Sequence, residues 1–307
     1  MRAQWLIAFT AVAPLLMAAA EPVRLKPSSS WVLDYGDESC RLIRTFGEEQ
    51  EKVTLVFESD APHQMDMLAT GKPLGNYNAN ISARFLPVGS ESFEGRSAFT
   101  TSSGDPAILW ANVSLIPDPI IEKRVREYVG HNLKPALRPP PTGLAEQASY
   151  KGRRQEFAEK TTELEIQTRW KHSVVLETGS LGNAIGMFDK CSRDSLKDWG
   201  VDPNLEDRIV RPAWAPDPSK WFSSDDYPKA MLTSGEESEV HIRLLVDASG
   251  KVTKCTSLSH FKAPEFNKIT CGAIMRRASL APAELADGTK VPSYFTQRIM
   301  FRINYRH

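Results

Sequence analysis

Glu239-Val240-His241-Ile242-Arg243-Leu244-Leu245-Val246-Asp247-Ala248-Ser249-Gly250-Lys251-Val252 is the stretch that decides the fold. Val240, Ile242, Leu244 and Val246 alternate with His241 and Arg243, which is the period of a half-buried strand. Asp247-Ala248-Ser249-Gly250 supplies turn chemistry, and Lys251 to Leu258 reads as the returning hairpin strand. Upstream, Tyr227-Pro228-Lys229-Ala230-Met231-Leu232 puts a proline at the head of a short apolar-periodic run, where no N–H is needed, and predicts a short helix. Downstream, Pro264 opens a second helix with Phe266, Ile269 and Ala273 on one arc. Tyr294 to Ile303 then alternates Phe295, Ile299, Phe301 and Ile303 with Thr296, Arg298 and Arg302, a third strand. Two helices on a three-stranded antiparallel sheet make a small α+β layer.

Five pieces of this stretch occur in a telling order. They are Tyr227-Pro228, Val246-Asp247-Ala248-Ser249-Gly250-Lys251-Val252, Ala281-Pro282-Ala283, Asp287-Gly288 and Phe301-Arg302-Ile303. Together they resemble the C-terminal domain of TonB-family energy transducers, over about a quarter of the chain. Ser238 and Leu280 depart from that family's usual glycine and aromatic. The resemblance implies that a segment of an outer-membrane receptor pairs with the last strand beside the Tyr-Pro motif. Carried over, it gives the binding role to Tyr227, Pro228, Tyr294, Phe295, Thr296 and Arg298. It also implies transport across the outer membrane as the setting.

The full chain has 307 residues, room for a second domain. Lysine plus arginine equals aspartate plus glutamate at 38 each, so no global basic field exists to hold nucleic acid. Arg153-Arg154 and Arg276-Arg277 read as solvated surface spots. Residues 1–20 carry Arg2, an apolar run from Trp5 to Met17 and Ala18-Ala19-Ala20 before Glu21, the pattern of a cleaved secretory signal. The competing reading is an inner-membrane anchor over residues 5–20, which would suit an energy transducer working with a proton-channel complex. Either way the rest of the chain is expected in the periplasm.

Cys40, Cys191, Cys255 and Cys271 are an even set in an exported chain and favour disulfides over free thiols. Three pairings are possible. Cys255 on the second strand and Cys271 on the helix above it are brought together by the fold, which leaves Cys40 to Cys191. Their spacing does not fit zinc, so no metal is expected.

Residues 21–212 are expected to form an antiparallel β-rich domain with a late helix. Its β-prone runs are Cys40–Phe46, Lys52–Glu58, Gln64–Leu68, Ile81–Leu86, Arg96–Thr100 and Ile108–Ile116, punctuated by turn residues. Thr54-Leu55-Val56-Phe57 suggests a central strand buried on both faces. Ile121, Val125 and Val129 suggest a short helix, and Leu137-Arg138-Pro139-Pro140-Pro141 is too short for a periplasm-crossing rod. Gly143 to Glu159 reads as charged surface helix or disorder, and Leu164 to Leu176 as one strand. The glycine-rich turn after Thr178 leads into a helix with Ser180 as N-cap and Gly200 as its stop. Residues 213–226, with their prolines and tryptophans, form a linker that packs on one domain, and residues 227–307 are the TonB-like domain.

The six histidines lack HExxH or paired spacing, and no GxSxG elbow or phosphate-binding loop occurs. No catalytic residue and no cofactor is expected. The chain reads as a protein-binding module for an envelope partner, and not as an enzyme.

Overall fold

The computed structural model describes residues 21–62, 64–75, 81–87, 92–95, 97–116, 144–169, 172–258 and 264–303. The leader over 1–20, the helix near Ile121, the Leu137–Pro141 turn, Arg96 and His260 lie outside the described residues. Among the described residues no helix is long and apolar enough to cross a membrane.

In chain order the first strands are β1 (Val23–Leu25), β2 (Val32–Tyr35), β3 (Cys40–Phe46), β4 (Val53–Ser59), β5 (Asp66–Thr70), β6 (Ser82–Leu86), β7 (Phe93–Glu94), β8 (Ser97–Thr100) and β9 (Pro106–Trp110). Helix α1 (Leu144–Lys160), β10 (Glu163–Arg169), β11 (His172–Leu176), α2 (Gly182–Asp198), α3 (Pro203–Glu206) and β12 (Ile209–Arg211) follow. The C-terminal part comprises α4 (Lys229–Ser234), β13 (Ser238–Val246), β14 (Val252–Ser257), α5 (Pro264–Arg277), β15 (Ala283–Leu285), β16 (Lys290–Val291) and β17 (Ser293–Phe301).

The class is α+β and mostly antiparallel, as the sequence pattern indicates. A six-stranded sheet runs β2-β3-β4-β5-β9-β8, and a five-stranded sheet runs β1-β11-β10-β6-β7. They meet across one apolar core, where Phe57 of β4 lies 6.3 Å from Phe85 of β6, and Phe93 of β7 lies 6.5 Å from Trp110 of β9. Helix α2 closes this core with Ile185, Phe188 and Cys191.

Several expectations need correcting. Leu164 to Leu176 is a hairpin of β10 and β11, and β1 joins β11 in parallel. Strand β4 is central, but only Val53, Leu55, Phe57 and Ser59 are buried while the alternate residues are half-buried. The stretch after Gly143 takes the helical alternative, but not wholly as a surface helix, since Ala158 is fully buried. Arg154 is not a surface spot: its side chain is buried, and Nε and Nη2 donate to the two Asp189 oxygens at 3.0 Å each. The α2 N-cap is Leu181, not Ser180, whose hydroxyl instead donates to the Glu159 carbonyl at 2.9 Å.

In the C-terminal part the order helix, hairpin, helix, strand is observed, with sheet order β14-β13-β17. Val240, Ile242, Leu244 and Val246 are buried beneath α5, whose buried face is Phe266, Thr270, Ala273 and Ile274. Fully burying one such aliphatic side chain stabilises by about 1.5–3 kcal/mol, so this stripe fixes the register of β13. The hairpin turn is tight because Asp247 Oδ1 accepts from the N–H of Ser249 and of Lys251, at 2.8 and 3.0 Å. Gly250 has φ +89°, and a Cβ there would sit 2.0 Å from the Leu280 carbonyl oxygen, so only glycine fits. An additional small sheet, β12-β15-β16, pairs Ile209 with Leu285. Ala213, Ala215 and Trp221 of the linker stretch belong to the β13 core.

Two disulfides are present, Cys40–Cys191 and Cys255–Cys271, with sequence separations of 151 and 16. Loop-closure entropy predicts that replacing the first pair by alanine lowers unfolding free energy by about 5 kcal/mol, and the second by about 3 kcal/mol. Urea unfolding of the two double variants checks both the loss and its order.

Candidate functional site: the sheet edge and the docked face

Strand β13 has two committed faces. One is the apolar stripe under α5; the other carries His241, Arg243 and Leu245. Because β13 and β17 pair in register, His241 lies opposite Arg298, Arg243 opposite Thr296, and Leu245 opposite Tyr294. This polar face docks on the N-terminal sandwich.

Arg243 is its anchor, with 2% of its surface exposed. Its Nη1 donates to the carbonyls of Glu38 and Asp60 at 3.0 and 2.9 Å, and its Nη2 pairs with the Glu38 carboxylate. The guanidinium also stacks on Trp199, 3.5 Å from the ring centroid, a cation–π contact. Burial lowers the Arg243 pKa, while the charges of Glu38 and Asp60 oppose that. Beside it, His241 Nδ1 lies 2.8 Å from Asp60 Oδ2.

Three of the residues assigned to partner binding share this face. Tyr294 packs edge-on against Trp199 at 5.8 Å and hydrogen-bonds the Glu206 carboxyl. Thr296 Oγ1 accepts from Gln64 Nε2 at 2.7 Å. Arg298 pairs with Asp66 and, at 3.3 Å, with Glu239. Burial alone would lower the Arg298 pKa, but these carboxylates outweigh it and the value is raised. The structure therefore places the side chains of Tyr294, Thr296 and Arg298 against the N-terminal domain.

Phe295 points to the opposite side, where its ring meets Trp221 at 6.0 Å edge-on. Tyr227 is in the same core, edge-on to Phe266 and Phe301 at 5.7 Å each, and its hydroxyl donates to the Glu236 carbonyl at 2.7 Å. Pro228 is the N-cap of α4, which ends at Gly235 in the left-handed region. Tyr227 and Pro228 thus hold α4 beside the β17 end of the sheet.

With both faces covered, β17 has one group of atoms left to present. Among the described residues its only strand partner is β13, so alternate N–H and C=O groups along Ser293–Phe301 point away from the sheet. Nothing in the sequence marks the docked face, because alternating polar residues on a strand read as solvent-facing. Among the described residues there is no group of three or more His, Cys, Asp or Glu that could hold a metal ion.

A small α+β domain whose sheet ends in a nine-residue edge strand carries the unpaired backbone groups that strand addition uses. Residues 224–303 match the family model for the Gram-negative bacterial TonB protein C-terminal, the family that the five motifs resemble. Comparison with the curated proteins and with the solved structures gave no match.

Arg243→Met should remove three charge-assisted hydrogen bonds and the ring contact, lowering stability by about 2–3 kcal/mol; a chemical denaturation curve reads this. Glu206, on α3 capped by Asp202, supplies a pH test. Burial pushes its carboxyl from the ordinary 4.5 up to about 7, against the opposing Tyr294 hydrogen bond. The folded state therefore holds a proton that the unfolded state releases between 4.5 and about 7, and stability falls as pH rises across that window. The fall is up to about 3 kcal/mol. Glu206→Gln should flatten this component, as the difference between the two pH–stability profiles will show.

Proposed function

We propose that this chain is an exported protein-interaction module of the cell envelope that binds an extended segment of a partner by strand addition to β17. The family match over 224–303 supports an envelope protein-interaction role. The observation that carries the finer reading is the edge of β17, which has no strand partner beyond β13 among the described residues, with both faces of the sheet already packed. Affinity then comes from backbone hydrogen bonds, and the side chains of Tyr294, Phe295, Thr296 and Arg298 set the position of the edge. The partner proposed is a segment of a TonB-dependent outer-membrane receptor.

A periplasmic location accords with the two disulfides, since such bridges persist in oxidising compartments. The chain is proposed to act by binding and not by catalysis, on the lack of any nucleophile–base motif in its sequence.

The test uses the full chain and a synthetic peptide from a receptor plug. Hydrogen exchange should slow about ten-fold or more at alternate amides of 293–301, those pointing away from β13. Absence of binding, or binding with protection elsewhere, overturns strand addition at β17.

A further inference from the structure

The contact between the two halves has one corner whose polar atoms are not all satisfied. Tyr294, at the start of β17, stands edge-on to Trp199 at 5.8 Å and hydrogen-bonds the Glu206 carboxyl of α3. In that corner Glu206 Oε2 and Trp199 Nε1 are both shut off from water, and neither has a hydrogen-bond partner among the described residues. Elsewhere the contact is fully engaged: Arg243 pairs with Glu38, Arg298 with Asp66, and Thr296 accepts from Gln64. A buried oxygen without a donor is tolerated as half of a neutral acid and is costly as half of a carboxylate.

The charges around Glu206 do not remove that cost. Lys151 of α1 and Arg193 of α2, the cations that face it, are both engaged by Asp207, whose own charge opposes ionisation. On the other side stands Tyr294, with Arg243 of β13 and Asp60 of the β4–β5 connection near it. Burial pushes the Tyr294 hydroxyl well above its ordinary range, so it stays protonated and Glu206 is the group that titrates. Helix α3 has four residues, too few to keep its hydrogen bonds alone, and it relies on two supports: Leu205 on the core of the small β12-β15-β16 sheet, and Glu206 on Tyr294.

We propose that this corner is a proton-operated latch between the two halves: neutral Glu206 holds Tyr294, and so the start of β17, against the sandwich, and ionised Glu206 lets α3 and that end of the docked face part. Opening gives water to both orphaned atoms. Arg243 with Glu38 and Arg298 with Asp66 keep the rest docked, so the opening is local. Burial holds the Glu206 carboxyl at about 7 instead of the ordinary 4.5. The closed corner therefore keeps a proton that the open one releases, and closure weakens as pH rises from 4.5 to about 7, above which both forms are ionised and nothing more is lost. The inference concerns the contact between the halves and does not depend on strand addition at β17.

Hydrogen exchange of the full chain, followed at the amides of Leu205, Glu206 and Asp207 and corrected for the intrinsic pH dependence of exchange, is the test. Protection there should fall about ten-fold or more between about pH 5.5 and 8. It should respond weakly to urea below the unfolding transition, as a local opening does. Glu206→Gln should make the protection of these three amides equal at both pH values. Tyr294→Phe removes a hydrogen bond that favours the carboxylate, so the pH dependence should persist with its midpoint moved up. Melting temperatures confirm that each variant folds. Protection that ignores pH, or a pH dependence that survives in Glu206→Gln, would overturn the latch. Exchange that tracks the core amides of β3 and β4 in urea would also overturn it, because the proton would then act through unfolding of the whole molecule.

Discussion

A buried guanidinium must find acceptors on every side or it does not stay buried. Arg243 satisfies this with atoms that its own domain does not supply: two carbonyls and a carboxylate from the β2–β3 and β4–β5 connections, and the ring of Trp199. The C-terminal sheet is therefore oriented by a residue at the middle of its central strand. His241 and Arg298 on one side, and Thr296 and Tyr294 on the other, repeat the arrangement with Asp60, Asp66, Gln64 and Glu206.

That constraint bears on recognition. A sheet with a solvent-facing surface offers a partner side chains as well as backbone. Here one surface is under α5 and the other is against the sandwich, so the edge is what remains. Selectivity must then come from whatever flanks the edge, and backbone pairing by itself tolerates many sequences.

Much of the C-terminal domain was legible in the sequence because its signals are local. The period of two in β13, the Asp247 to Gly250 turn and the proline-led helices each fall within a few neighbouring residues, and the cysteine pairing follows from them. What was missed depends on distant pairing. β12, β15 and β16 are two or three residues long, too short to show a period, and Ile209 finds Leu285 only after the domain has folded. The β10–β11 reversal lacks glycine, proline or asparagine between Arg169 and His172, so it read as one strand. Arg154 looked solvated because nothing nearby in the sequence announces Asp189 as its partner. The docking role of His241 and Arg243 was invisible for the same reason, since their acceptors lie roughly 180 residues or more upstream.

The Cys40–Cys191 bridge sits at a telling place. Cys40 follows Glu38 by two positions at the head of β3, and Cys191 lies in the helix that ends just before Trp199. The carboxylate and the indole that receive Arg243 are thus held near one another by a covalent bond. Cleaving this link would leave Glu38 and Trp199 joined by packing alone, so one sulfur–sulfur bond steadies both the sandwich core and the socket that takes the arginine.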